Sequence, residues 1–289
     1  MDDLSTPDQT EFVRFWNEIL VPKFVKWKHV LVGGLSQHSG AILPTLAVPK
    51  GGRVMDAGCG FGDTACWLAE QVGPEGRVVG IDCCDAFLAY GREDAATRHL
   101  SNIDFHVADI ESQQFDGDFD MIFSRFGTMF FTNPVRALRN MRTALKPGGT
   151  MTNIVWRRRA DNHWGDKPKE VVLRHLPPPG DDAATCGPGP FSMADQEMVT
   201  GQLRAAGFHE IAFERVDAPF RTGNTVEDAI GFQLALGPAG EVYREAGALA
   251  EEKHDAIMDD MRAVLSEYAN EDGVFMPSSS WVITARNPV

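Results

Sequence analysis

The sequence predicts an α/β fold in which seven strands, built on parallel βαβ units, form an open sheet that carries helical cap insertions. Three observations carry this. From Arg53 to Thr150, short β-rich apolar runs alternate with helix-like stretches. A glycine-rich turn, Gly58-Cys59-Gly60-Phe61-Gly62, joins the first run to the first helical stretch. The second and third runs end in carboxylates, Asp82 and Asp109, at the edge where ligands of such sheets bind.

In order, strands are expected at Arg53–Ala57, Arg77–Asp82, Ile103–Ala108, Phe119–Ser124 and Thr150–Trp156. Helices near Asp63–Val72, Asp85–Leu100 and Pro134–Leu145 separate them. The third helix has clear punctuation: Asn133 can cap it, Pro134 suits the first helical position, and Lys146-Pro147-Gly148-Gly149 closes it. A fourth helix, about Met193–Ala206, opens with Ser192 and Asp195 in capping-box spacing and stops at Gly207. Ile211–Val216 and Trp281–Ala285 complete the sheet.

Three segments fall outside the repeat. Residues 1–50 are expected to form an N-terminal helical lid, with Phe12, Phe15, Trp16, Ile19 and Leu20 at near-helical spacing. Residues 157–191 hold Pro177-Pro178-Pro179-Gly180 and Gly187-Pro188-Gly189-Pro190, which predicts an irregular loop and not a helix pair. Residues 218–277 read as a helical cap, with helix-like stretches at Thr225–Leu236 and about Ala248–Tyr268. The core is then 51–217 with 278–289. Both helical segments are expected to close over the sheet edge.

A chain of 289 residues with 43% hydrophobic and 24% charged residues can bury a sizeable core, which excludes a disordered chain. No window reaches about 18 consecutive apolar residues, and Met1-Asp2-Asp3 is acidic where a secretion signal is basic, so no membrane span and a cytoplasmic protein are expected. A formal charge of −14 repels polyanions and argues against a nucleic-acid substrate. The basic run Arg157-Arg158-Arg159 reads as a solvated loop after a strand. The five cysteines (Cys59, Cys66, Cys83, Cys84, Cys186) are odd in number and lack paired CxxC spacing, so reduced thiols and no structural metal are predicted. A homodimer stays open.

The glycine turn lets a ligand approach the backbone closely, and the helix it opens adds partial positive charge. Its spacing is GxGxG. A dinucleotide fingerprint would need glycine where Asp63 stands, so the loop suits a carboxylate better than a pyrophosphate. Asp82, about 20 residues on, can accept from a ribose diol. Asp109 can accept from an exocyclic amine, with apolar Ile110 beside a purine.

The runs VMDAGCGFGDTA, VVGIDCCDAF, HVADI, FDMIFSRFGTMFF and ALKPGGTM resemble, in order and spacing, the successive motifs of class I S-adenosylmethionine methyltransferases over roughly residues 50–156. The resemblance implies a Rossmann-like seven-stranded methyltransferase sheet with S-adenosylmethionine as cofactor. It implies that Gly58, Cys59 and Gly60, with Gly62 in the same loop and Asp56 nearby, line the methionine part. Asp82 and Cys83 would serve the ribose and adenine side, Asp109 and Ile110 the adenine, and Ser124 and Arg125 would flank the methyl donor. The stretches Asn162-His163-Trp164 and SSWVITARNP are also similar to the branch with ubiquinone-type C-methyltransferases and small-metabolite methyltransferases. Residues 218–277 match no substrate-specific member, so the small-molecule acceptor stays open between O, N and C.

Methyl transfer needs alignment and dehydration of the acceptor, with a base only when the acceptor must lose a proton. His163, just after the fifth strand, is the chosen candidate, ahead of His29 and His38. Trp16 is expected as a lid over the cofactor, although aromatic residues of a cap more often only pack. Two other readings compete. A nicotinamide-dependent oxidoreductase is favoured by Asp82 but disfavoured by Asp63, and a non-catalytic protein could retain the fold.

Overall fold

The computed structural model describes residues 10–179 and 188–289. The expectations for Met1-Asp2-Asp3, Gly180, Cys186 and Gly187 lie outside the described residues.

The chain opens with helical segments. The Thr10 hydroxyl accepts from the Val13 amide at 3.2 Å and caps α1 (Glu11–Phe15). A π-helical turn at Trp16–Leu20 leads into α2 (Val21–Lys26), and a second at His29–Gly34 leads towards α3 (Ser36–Ile42). Then come β1 (Arg53–Ala57), α4 (Asp63–Val72), β2 (Arg77–Asp82), α5 (Asp85–Thr97), β3 (Ile103–Val107) and β4 (Phe119–Arg125). Next are α6 (Pro134–Ala144), β5 (Leu145–Trp156), α7 (His163–His175), α8 (Gln196–Ala206) and β6 (His209–Gly223). A helical group, α9 (Val226–Ala235), α10 (Pro238–Glu245), α11 (Ala248–Glu252) and α12 (His254–Ser266), precedes β7 (Ala269–Asn270) and β8 (Gly273–Arg286).

The strand order is β3-β2-β1-β4-β5-β8-β6, the expected seven, and the two-residue β7 pairs with β8 off this path. The first five strands are parallel, while β8 runs antiparallel to both β5 and β6. The chain reverses its direction across the sheet between β1 and β4, which opens a crevice at their carboxyl ends. Both sheet faces are covered. Val54, Met121, Phe123 and Ile154 pack with Leu68 and Leu88 on one side, and Met55, Ile122, Met151 and Ile283 with Leu138, Met141 and Leu203 on the other.

The loop expected over 157–191 contains the helix α7. Its buried positions Trp164, Pro168, Val171 and Val172 recur at helical spacing, and docking that stripe against α10 and α12 outweighs the internal Pro168. Ser192 does not cap α8. The Asp195 carboxylate accepts from the Met198 amide at 2.8 Å, whereas the Ser192 hydroxyl donates to the Met129 carbonyl. Both β6 and β8 outrun their expected lengths, pairing as far as Gly223 and Val274, so helices occupy only about 226–266 of the segment read as a cap.

The later N-terminal residues are built into the sheet. The Trp27 ring fills the space above Gly231, where a β-carbon would stand 2.7 Å from it, and Gly34 lies against the Arg221 carbonyl. Buried His38 donates from Nε2 to Ser278 Oγ at 2.6 Å, Ser278 itself donating to the Ala218 carbonyl, and Ser280 Oγ lies 3.4 Å from Nδ1. Burial pushes the His38 imidazole down to about 4, against the pull of Asp217. A histidine whose folded pKa is depressed is held neutral by the fold, so stability is lost as pH falls from about 6.5 through about 4. That depression corresponds to about 3 kcal/mol. Buried Asp56 has the opposite sign, so the readout is the wild-type stability minus that of His38→Gln, from urea unfolding between pH 7 and pH 4. That difference should shrink by about 3 kcal/mol towards pH 4, and a flat difference would remove the assignment.

Candidate functional site

At the crevice lies an open cavity, lined by the β1–α4 turn, the strand ends and side chains of the first helices. One side is the turn between β1 and α4. Gly58, Gly60 and Gly62 take φ of +67°, +52° and +79°, a region that L side chains rarely adopt. Their roles differ. A β-carbon on Gly58 would press on Gly127 at 3.2 Å, and one on Gly62 would meet Gly91 and the Phe105 ring at 2.7–2.8 Å. A β-carbon on Gly60 would meet nothing within 4 Å, so this glycine presents bare backbone to the cavity.

The neighbouring strand ends hold the carboxylates. Asp82 accepts from the Gly60 amide at 2.9 Å and from the Cys84 amide at 3.0 Å, and burial raises its carboxyl to about 6. Its two oxygens offer about four lone pairs in all, which leaves acceptor capacity for a ligand. Asp109 closes a local turn, accepting from the Glu111 amide at 2.9 Å and from the Ser112 hydroxyl at 3.2 Å, and also lines the cavity beside Ile110. Asp56 lies fully buried beneath the loop. The Thr64 hydroxyl donates to one of its oxygens at 2.7 Å, the other has no partner among the described residues, and burial raises the carboxyl to about 7.

The opposite wall is aromatic. Trp16 meets Phe24 and Phe130 edge-on at 5.3 and 5.2 Å, and its buried indole N–H has no partner among the described residues. Trp16, Leu20 and Phe24, spaced at four residues, pack into one cluster with Phe61 and Phe87. Arg125, at the end of β4, donates to Ser39 Oγ at 2.6 Å and to Asp63 Oδ2 at 2.5 Å, tying the β4 edge to both α3 and α4. Phe126 follows at φ +56°, a strained conformation for a residue with a side chain, and stacks on Trp156 at 4.1 Å.

Of the residues selected from sequence, the cavity unites Trp16, Gly58, Cys59, Gly60, Asp82, Cys83, Asp109, Ile110 and Arg125. Asp56, Gly62 and Ser124 support it without lining it. His163 stands apart from them, on α7 and outside the lining, with Nδ1 3.1 Å from the Tyr268 hydroxyl. The cause is the unforeseen helix α7, which turns the residue towards the cap. His38, although nearer, packs behind Phe126 and Trp156. Sequence reasoning also missed Asp63, Thr64 and Phe126, all of which line the cavity. Asp63 and Thr64 could have been found as the first residues after the glycine turn, whereas Phe126 carries no signal in residue type.

A family model described as a methyltransferase domain matches residues 49–189. The chain is 36% identical over 110 residues to a demethylmenaquinone methyltransferase of Listeria monocytogenes, covering 38% of this chain and 46% of that one. The match thus spans about half the length of that relative. It is 31% identical over 196 residues to a ubiquinone/menaquinone biosynthesis C-methyltransferase of Idiomarina loihiensis, covering 65% of this chain and 76% of that one. A solved phosphoethanolamine N-methyltransferase 2 of Haemonchus contortus, in complex with S-adenosyl-L-methionine, shares the fold at TM-score 0.59 and 16% identity, over 97% of this chain and 60% of that one. With the glycine turn, the strand-end carboxylates and the sheet order in one arrangement, the chain belongs to the class I S-adenosylmethionine-dependent methyltransferases.

Proposed function

We propose that the protein transfers the methyl group of S-adenosylmethionine to an O, N or C atom of a small, apolar, ring-bearing acceptor. The observation that carries this is a single cavity that joins the bare Gly60 backbone and Asp82 to a wall of aromatic side chains. The residues fit the cofactor: Gly60 leaves open the space its β-carbon would fill, Asp82 retains acceptor capacity for a ribose diol, and the Trp16 indole N–H is unpartnered. An oxidoreductase reading loses support, because Asp63 stands where a third fingerprint glycine belongs and is held by Arg125.

When bound, S-adenosylmethionine supplies an electrophilic methyl group on a sulfonium. The chain's own part is to bind, orient and dehydrate. Gly58, Cys59 and Gly60 would cradle the methionine end, Asp82 would hold the ribose, and Asp109 with Ile110 would hold the adenine. Trp16, Phe24 and Phe130 would seat a planar acceptor and keep water out. No histidine lines the cavity among the described residues, so alignment carries more of the work than a dedicated base. Residues 10–26 bear Trp16 and Phe24 and form the lid of this reading, while the later residues are fastened to β6 and α9.

Among the described residues no helix is long and apolar enough to cross a membrane. The acidic balance supports a cytoplasmic protein with a metabolite, and not nucleic acid, as acceptor. Incubation with methyl-labelled S-adenosylmethionine and a metabolite extract tests the activity. One labelled product heavier by a CH2 group is expected, and no labelled product from a chain that binds S-adenosylhomocysteine would leave a binding protein that kept the fold.

A further inference from the structure

Beside Asp82 stand two thiols to which the proposed methyl transfer gives no chemical task. Cys83 and Cys84 follow Asp82 at the end of β2, and their sulfurs lie 3.7 Å apart. The Cys84 amide donates to Asp82 Oδ1 at 3.0 Å and so folds the backbone into a tight turn before α5. In an extended strand two successive side chains point to opposite faces. Here the turn brings both sulfurs and a carboxylate oxygen within 4.8 Å of one another. Cys83 lines the cavity, while Cys84 lies buried behind it.

The sulfur separation has chemical meaning. Two thiolates on one tetrahedral ion, each at about 2.3 Å, stand about 3.8 Å apart, close to what the pair already shows. Spacing of the CxxC kind, absent from the sequence, builds closed structural sites, whereas this turn gives two sulfur donors, one oxygen donor and a fourth position open to the cavity. Soft thiolate donors select soft cations over magnesium or calcium. Two thiolates and a carboxylate carry three negative charges towards a dication, and Asp109 lines the same cavity.

We propose that Asp82, Cys83 and Cys84 bind one soft, thiophilic divalent cation, and that this ion and the cofactor exclude each other at Asp82. Each thiol releases its proton to solvent as its sulfur joins the ion, with no change of oxidation state. The site is inhibitory, because its oxygen donor is the carboxylate assigned to the ribose. A methyltransferase with this site loses activity when thiophilic metals rise and recovers when they are chelated.

Cadmium is the probe. The full chain, reduced and then freed of reductant, is titrated with cadmium chloride, following the cadmium–thiolate absorbance and the metal content per chain. One cadmium per chain is expected. Cys83→Ser and Cys84→Ser should each weaken binding by about 100-fold, while Cys66→Ser, whose thiol faces the Gly91 carbonyl in the core, should not. A readout without variants accompanies this: bound cadmium should protect Cys83 from iodoacetamide, and should raise the apparent Kd of S-adenosylhomocysteine in proportion to occupancy. Unaltered cadmium binding by the Cys83→Ser, Cys84→Ser double variant, an unprotected Cys83, or simultaneous binding of cadmium and S-adenosylhomocysteine would overturn the proposal. The metal readouts need no cofactor, so failure to bind S-adenosylhomocysteine would count against the proposed function and leave them standing.

Discussion

Gly60→Val is expected to reduce S-adenosylhomocysteine affinity by more than about 100-fold while leaving a folded chain. Two effects add. At φ +52° a β-branched residue costs about 1–3 kcal/mol of backbone strain, which opposes the loop geometry. The isopropyl group would also project into the space that is open in the structure, where the backbone meets its ligand. Because a β-carbon at Gly60 touches no protein atom within 4 Å, the damage should fall on binding and not on packing. Gly60→Ala separates the two effects: it carries most of the strain but little of the bulk, so its loss should be intermediate. Calorimetric titration reads the affinities and circular dichroism the fold. A folded Gly60→Val chain with wild-type affinity would show that this turn is not the cofactor cradle.

Asp82→Ala is expected to weaken S-adenosylhomocysteine binding by about 1.5–3 kcal/mol, or roughly 10- to 150-fold. The carboxylate has two tasks. In the proposed function it offers acceptors to the ribose, and in the structure it fixes the loop by accepting from the Gly60 and Cys84 amides. Alanine loses both. Asp82→Asn keeps one acceptor oxygen of similar shape, so it should retain much of the loop order and lose less affinity. Equal affinities in all three chains, measured by calorimetry, would mean that Asp82 only braces the turn.

How much of this was legible before the structure depended on whether local chemistry or distant packing decides. The bounds of β1, β2 and α4 follow from runs of apolar residues punctuated by glycine and aspartate, so they could be read directly. Asn133 caps α6 as its sequence indicates, its side chain accepting from the Arg136 amide at 3.1 Å. The glycine turn and the carboxylates at its edge were legible for the same reason, since strand-end position alone brings them to one crevice.

The rest is tertiary. Helix α7 forms because its stripe from Trp164 to Val172 finds α10 and α12, neither of which its own sequence announces. His163 is carried towards Tyr268 with it. The Arg125 contacts to Ser39 and Asp63 span 86 and 62 residues, beyond the reach of any local pattern. The extensions of β6 and β8 arise from their mutual pairing, with Pro219 opposite Pro277, inside a segment that sequence alone assigns to a helical cap. The three glycines of the turn look alike in sequence, and only their surroundings show that Gly62 serves packing and Gly60 faces the cavity.

In the proposed function one cavity holds the cofactor under a lid made of the first helices. Hydrogen–deuterium exchange with and without S-adenosylhomocysteine tests it most directly, because it maps both the site and the lid in one experiment. Slower exchange is expected at residues 58–62, 82–84 and 108–110, and also at 12–26, since Phe12, Trp16 and Phe24 line the same cavity. Residues 226–266 contribute nothing to that lining and should be unchanged. Unaltered exchange at 58–62 and 82–84 under saturating S-adenosylhomocysteine would contradict the account, and protection of the loop with free exchange at 12–26 would leave the cofactor site but remove the lid.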